Sequence, residues 1–346
     1  MIPGVRILLA PDRFAGSLTA GEAAESIAEG WRRSARYDVV DQLPLSDGGP
    51  GFLDVLQEHL GGEVAVVTVH GPLGDPVPAR VLVEGRTAYV EAAEAVGLHL
   101  LEPSQRDAAS SSTEGVGELV AAAVDTGASR VVVGVGGTAT TDGGQGMVAA
   151  LDGLDAGRER VAGVELVAAT ATDAPLMGHS GAAHGFAEGK GADRATREAL
   201  ETALREWATS TDGGLAVRPG AGAGGGVGFA LLLLGATRVN GTELVTRVAR
   251  LADRVGVADL ALTGQSVFDW EALRGRVVTA VARAAQEAGR PTVVLAERVE
   301  VGRRELSSTG IDAAYALDDA DGSDEAHTPG DRLAGLAERV ARTWSR

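Results

Sequence analysis

Short apolar runs of β-type residues alternate with helical patterns at both ends of the chain. That alternation restricts the chain to an α/β fold with a parallel sheet. Residues 5–10 read as a buried strand and residues 12–17 as a loop. Thr19 predicts a helix N-cap, with Glu22 as its capping-box partner and Ala23, Ile27, Ala28 and Trp31 as the apolar stripe. A second strand over 39–45 ends in the turn Ser46-Asp47-Gly48-Gly49-Pro50. A helix through Phe52, Val55, Leu56 and Leu60 follows. The far end repeats the pattern, with strands at 260–263, 292–295 and 313–316, a helix over 277–288 and a closing helix from Asp331.

The middle differs. Residues 64–69, 79–84 and 87–91 read as short strands of an antiparallel meander, separated by turns such as Gly85-Arg86. A helix over 113–125, a β-branched strand over 130–135, a glycine-rich loop over 136–144 and a helix through Met147 and Leu151 come next. A strand over 164–169, a helix over 196–207, and a glycine run at 219–228 leading into an apolar helix complete the segment. The expected architecture is two-domain: a Rossmann-like parallel-sheet domain from residues 1–60 and 258–346, with an inserted α/β domain over 61–257. A split of this kind leaves a cleft suited to a small ligand.

Composition narrows the partners. The 346 residues carry 48 acidic against 31 basic groups, a formal net charge of −17, which argues against a nucleic-acid surface. With no cysteine, disulfides, thiolate metal sites and a cysteine nucleophile are excluded. Residues 1–6 run straight into a strand without a signal-type apolar region, and the longest apolar stretch, 227–236, is too short to span a bilayer. The expectation is a cytoplasmic protein with a small-molecule partner, no nucleic acid and no membrane, with a homo-oligomer left open.

Ser/Thr-Asp-Gly-Gly occurs three times, at 46–49, 141–144 and 211–214. The first two sit between a strand and a helix. There, glycine amides and a helix N-terminus can hold an anion, and the carboxylate can bind Mg²⁺ or orient a hydroxyl. The alternative is an ordinary turn with Asp as helix cap. The third copy lacks a preceding strand and reads as a turn. Residues 134–139 and 220–225 fit G-x-G-x-x-A/G. The second follows Arg218-Pro219 rather than a strand, and the first lacks an acid closing the next strand, so phosphate cradling fits better than a dinucleotide. There is no P-loop and no zinc motif. Lys190, the only lysine, stands between Gly189 and Gly191. It either reaches a phosphate or is a solvent-exposed turn residue.

In this order the pieces resemble the bacterial glycerate kinase family over nearly the whole chain. Residues 10–18, APDRFAGSL, are similar to its APDSFKGSL, and Ser46-Asp47-Gly48-Gly49 to its ADGGEG. Residues 136–146, GGTATTDGGQG, are similar to GGSATNDGGxG, and residues 219–228 to PGAGAAGGxG. The resemblance implies phosphorylation of D-glycerate with ATP and Mg²⁺. It places Asp47, Asp142 and Lys190 as catalytic, with Asp47 and Asp142 at Mg²⁺. It places Asp12, Ser17, Gly48, Gly49, Gly136, Gly137, Thr138, Gly222, Gly224, Gly225, Asp269 and Arg276 at substrate or phosphates. The departures fall on polar positions. Ala15 stands for a lysine, Arg13 for a serine, Ala171 for an aspartate, Gly189 for a glutamine, Gln265 for a glutamate, Val267 for an arginine and Arg276 for a lysine. The alternatives are a kinase in which Arg13 and Arg276 supply the lost charge, a kinase for another small hydroxyacid, and a binding or regulatory protein that has lost turnover.

Overall fold

A computed structural model describes residues 4–317 and 327–345; Met1 to Pro3, part of the segment read for a leader, lie outside the described residues. The chain forms two compact units. The terminal unit is Met1–Asp47 with Thr242–Arg346, and the central unit is Gly48–Gly241.

The terminal unit begins with β1 (Arg6–Leu9), α1 (Ala20–Ser34) and β2 (Val39–Gln42). Thr19 and Glu22 form the reciprocal capping box expected of them. The central unit runs α2 (Phe52–Leu60), β3 (Glu63–His70), β4 (Pro76–Glu84), β5 (Thr87–Glu91), α3 (Ala92–Val96), α4 (Glu114–Asp125) and β6 (Arg130–Val135). It continues through α5 (Gln145–Ala150), α6 (Leu154–Arg160), β7 (Glu165–Thr170), α7 (Arg194–Ser210), α8 (Gly213–Ala216), α9 (Val227–Leu233) and β8 (Thr237–Asn240). The chain returns with α10 (Gly241–Val248), α11 (Leu251–Val257), β9 (Leu260–Phe268) and α12 (Val277–Glu287). It closes with β10 (Thr292–Val299), α13 (Arg303–Ser308), β11 (Ala313–Ala316) and α14 (Pro329–Trp344).

The terminal sheet has the order β11-β10-β9-β1-β2, with every pairing parallel. Counting only this unit's strands, the order is 2-1-3-4-5, a doubly wound sheet whose chain direction reverses between β1 and β9. Ligands of such sheets bind outside the carboxyl ends of the strands at that switch point. The core here joins Ile7 and Leu9 of β1 to Trp31 of α1 and Leu333, Leu336 and Val340 of α14. Trp31 is fully buried, and its indole N–H donates to Asp38 at 2.9 Å. Truncating such a residue to alanine costs about 3–5 kcal/mol. Gly30 lets α1 and α14 touch, since a Cβ there would lie 1.9 Å from the Ala334 carbonyl oxygen.

The central sheet has the order β3-β4-β5-β6-β7-β8. Its first three strands are the antiparallel meander, and β5 through β8 pair in parallel. β8 was not anticipated; its pattern, Thr-Arg-Val-Asn, is too short and too polar to read as a strand. The division of the chain also differs from the one drawn at residues 60 and 257. Helix α2 belongs to the central unit, because Glu91 at the end of β5 accepts the Gly51 and Leu53 N–H groups at 3.1 and 3.2 Å, and the Phe52 ring fills the space that Gly134 leaves open. Helices α10 and α11 belong to the terminal unit, where Arg254 pairs with Asp41 of β2 at 3.0 Å. Among the described residues no helix is long and apolar enough to cross a membrane.

Candidate active site

In the terminal unit the polar groups gather where the fold predicts a ligand, on the loops leaving the carboxyl ends of β1 and β9. The chain leaves β1 still hydrogen-bonded to β9, through Ala10 N–H to Leu262 O at 2.7 Å and Asp12 N–H to Gly264 O at 2.9 Å. Asp12 is thereby held in the wall of the loop and buried. Its carboxylate accepts the Arg13 N–H at 2.8 Å. Burial first, and the Asp47 charge second, push Asp12 up to about 8, against the opposing pull of Arg13 and Arg276. Asp47 follows β2 and lies 3.8 Å from the Arg276 guanidinium, which also pairs with Glu271 at 2.9 Å.

The other predicted residues of this unit are occupied by neighbours. Ser17 donates to Glu297 Oε1 at 2.7 Å. One oxygen of Asp269 accepts the Glu271 and Ala272 N–H groups, both at 3.0 Å, so this carboxylate shapes the loop after β9. Ala15, standing where the family carries lysine, gives its N–H to Ser266 Oγ at 2.7 Å. Glu271 and Glu297 are not among the residues that the sequence singles out. Of the two, only Glu271 has a readable signal, as a carboxylate five residues before Arg276.

In the central unit the strongest strand, β6, delivers the loop 136–144. Asp142 lies in it with both carboxylate oxygens engaged. Oδ2 accepts the Thr113 N–H at 2.9 Å, the Thr113 hydroxyl at 2.8 Å and the Gly146 N–H at 3.1 Å. Oδ1 accepts the Gly144 N–H at 3.0 Å. These donors are the first amides of α4 and α5, so the carboxylate ties two helix starts to the loop. Oδ2 is thus taken by three donors, while Oδ1 accepts one and keeps a lone pair. These contacts give Asp142 a part in positioning the loop.

The glycines of this unit are explained mostly by backbone packing on backbone. A Cβ on Gly225 would lie 1.8 Å from Thr140 O, on Gly222 2.2 Å from Pro175 O, and on Gly136 2.7 Å from the Gly49 Cα. Gly137 and Gly224 have positive φ and face Pro50 and Val135 respectively. Gly48, also at positive φ, would place a Cβ 3.0 Å from Ala169 O. Gly143 N–H donates to Gly225 O at 3.0 Å, joining the two glycine-rich loops directly. Their surfaces facing one another are thus filled by protein, and phosphate cradling by Gly222, Gly224 and Gly225 is not what these contacts require.

Lys190 is a buried cation of this unit. It is only 8% exposed, which excludes the solvated-turn alternative. Its Nζ donates to Thr140 O at 2.6 Å and lies 3.5 Å from the Thr138 hydroxyl. Burial pushes it down to about 8, and the Asp142 charge resists that shift. A buried ammonium with one short bond to a neutral carbonyl keeps donor capacity for an anion.

The comparisons agree with one another. The glycerate kinase family model matches residues 7–156 and 152–345. The glycerate kinase of Halalkalibacterium halodurans is 35% identical over 378 residues, covering 98% of this chain and 99% of its own. The glycerate 2-kinase of Escherichia coli is 32% identical over 347 residues, covering 90% of each. An uncharacterised protein of Mycobacterium bovis is 43% identical over 354 residues, covering 98% of this chain and 92% of its own. A crystal structure titled as that of a putative glycerate kinase 2 from Salmonella typhimurium LT2 superposes with a TM-score of 0.74 at 32% identity, covering 98% of both chains. Motifs, sheet order and whole-length similarity converge, and the chain belongs to the glycerate kinase family.

Proposed function

We propose that this protein phosphorylates D-glycerate, taking the phosphoryl group from ATP with Mg²⁺. The observation that carries the reading is the pair Asp12 and Asp47 at the switch point of the terminal sheet, inside a chain whose relatives are named for this reaction. Two carboxylates, with Asp47 close enough to push Asp12 upward, offer the hard oxygen donors that Mg²⁺ takes. Asp47 holds the ion. Bound there, Mg²⁺ supplies charge neutralisation for the phosphates.

Asp12, pushed up to about 8, is a stronger base than an ordinary carboxylate, and in its ionised form it orients the acceptor hydroxyl and takes its proton. Arg276 places a guanidinium beside Asp47, with Glu271 fixing its orientation. In the central unit Lys190 offers its ammonium to phosphoryl oxygens, and Asp142 keeps the Thr138 to Gly144 loop in place around it. Phosphoryl transfer consists largely of such positioning and charge stabilisation. Arg13, whose charge reaches Asp12, stands in for the cation absent at Ala15, and Arg276 keeps the charge of the lysine it replaces, which favours an active enzyme over a protein that only binds.

The test is ADP release with Mg²⁺-ATP across a panel of small hydroxyacids, D-glycerate first. Turnover in the ordinary enzyme range of ~1–10³ s⁻¹ with D-glycerate is expected. Preference for another hydroxyacid would reassign the acceptor. Calorimetric binding of ATP and glycerate with no ADP released would overturn the enzymatic reading.

A further inference from the structure

The central sheet has one edge unlike the others. Among the described residues, three of the four sheet edges are short: β2, β8 and β11 are each four residues long. β2 and β8 also carry ion-paired charges, Asp41 with Arg254 and Arg238 with Asp173. Short, charged edges are how folds prevent strand-to-strand association. The fourth edge, β3, runs eight residues, Glu-Val-Ala-Val-Val-Thr-Val-His. Between Val64 and Thr68 it has no charge, no proline and no glycine, and Val66 is 65% exposed.

The register shows which groups face outward. Pro76 and Pro78 of β4 lie opposite His70 and Thr68, where a proline has no N–H to give. Gly71 N–H goes to Asp75 O, on the β4 side, whereas His70 N–H goes to Glu118 of α4 at 2.7 Å. The alternation of an antiparallel ladder then puts the odd residues of β3 on β4 and turns the N–H and C=O of Val64, Val66 and Thr68 outward. These three are symmetric about Val66. A twofold axis through that point sets Val66 against Val66 and Val64 against Thr68, with roughly six N–H···O bonds. Centring on Val64 or Thr68 instead would run the pairing off the end of the strand. A half-step register is excluded because it would set opposite residues on opposite faces.

We propose that β3 is an interface between two copies of this chain, paired antiparallel about Val66 into one continuous sheet. A second copy is the fitting occupant because the outward groups are self-complementary and the strand's centre is uncharged. The net charge of −17 on each copy opposes the encounter, so association strengthens as salt screens it.

The test is sedimentation velocity of the whole protein over a range of concentrations and NaCl. A monomer–dimer equilibrium that tightens with salt is expected, and Val66→Lys abolishes it without lowering the melting temperature, since the side chain is exposed. Register is read by cysteine cross-linking, which this cysteine-free chain makes unambiguous. Val66→Cys yields a disulfide-linked dimer on mild oxidation, because facing Cα atoms lie ~5.5 Å apart. Val64→Cys does not, because the two copies' residues are then four positions out of step. A monomer under all conditions, a dimer that survives Val66→Lys, or equal cross-linking of both cysteine variants would each overturn the proposal. Association that weakens with salt would point instead to pairing of opposite charges.

Discussion

The two strand–loop–helix copies of Ser/Thr-Asp-Gly-Gly share their chemistry in sequence and differ in use. Asp142 gathers three backbone N–H groups and the Thr113 hydroxyl on its two oxygens and anchors the starts of α4 and α5. Asp47 lies 3.8 Å from Arg276 and close enough to the buried Asp12 to push that carboxyl upward. The motif therefore specifies a turn before a helix. Whether the turn does chemistry depends on what other parts of the chain bring to the carboxylate. A carboxylate held mainly by amides at helix starts positions a loop. One set beside a guanidinium and a second carboxylate can exchange partners for a metal or a phosphate.

The sharpest test of that contrast is Asp47→Asn. Turnover should fall by on the order of 10³-fold, with the melting temperature close to that of the unmodified protein, as read by steady-state ADP release beside calorimetry. A large loss of melting temperature with little loss of turnover would exchange the roles of the two aspartates.

Lys190→Met comes next. Removing a buried cation should cut turnover about 10²-fold without lowering stability, because an ammonium pushed down to about 8 is disfavoured by its surroundings. The sign follows from linkage. The unfolded chain holds the Lys190 proton up to its ordinary 10.5 and the folded chain only to about 8, so stability rises with pH between those values. The methionine variant should lack that rise. The cationic form that meets phosphate is lost over the same range, so the wild-type rate should decline above pH 8. A melting temperature that drops in Lys190→Met would make the lysine a structural residue.

What the sequence disclosed follows the range of the interaction that carries it. The capping box at Thr19 and Glu22, the strand over 130–135 and the meander are local patterns, and the fold keeps them. The family motifs located the loops that carry Asp12, Asp47 and Lys190. They could not say that Thr113, twenty-nine residues before Asp142, would occupy its carboxylate, because only folding brings α4 to that loop. The packing of the glycine runs is hidden from the sequence for the same reason. Gly225 is a glycine because the Thr140 carbonyl lies 1.8 Å from any Cβ there, a contact eighty-five positions away in the chain. Helix α2 was likewise assigned by proximity in sequence, while Glu91 holds it in the central unit.

Asp142→Asn should act in the opposite sense to Asp47→Asn. An amide in place of one oxygen turns an N–H₂ group towards backbone donors and removes the charge from the rest, at a cost of about 1–3 kcal/mol. The melting temperature should drop by several degrees, and hydrogen exchange should speed at the first turns of α4 and α5. Turnover per folded molecule should fall less than in Asp47→Asn, because the loop around Lys190 loosens while its cation remains. If exchange at those helix starts is unchanged while turnover collapses, Asp142 belongs at the reaction centre after all.

The third copy of the motif supplies the smallest effect and the control for the other two. Asp212 follows no strand, and its Oδ1 accepts the Gly214 and Leu215 N–H groups at 2.8 and 3.1 Å, capping the four-residue helix α8. Among the described residues its carboxylate pairs with neither a cation nor a second acid, so it is a cap with fewer donors to hold than Asp142. Asp212→Ala should cost about 0.5–2 kcal/mol. Part of that loss is absorbed because Ala216 remains buried and its carbonyl still accepts the Leu176 N–H at 2.8 Å. Turnover and both substrate KM values should stay within twofold of the unmodified protein. The three variants then form a series in which the same side chain, in the same tetrapeptide, governs chemistry, loop position or a single helix turn according to what converges on it. A loss of turnover in Asp212→Ala comparable to that of Asp47→Asn would break the series at its weakest member, and with it the rule that convergence rather than the motif sets the role.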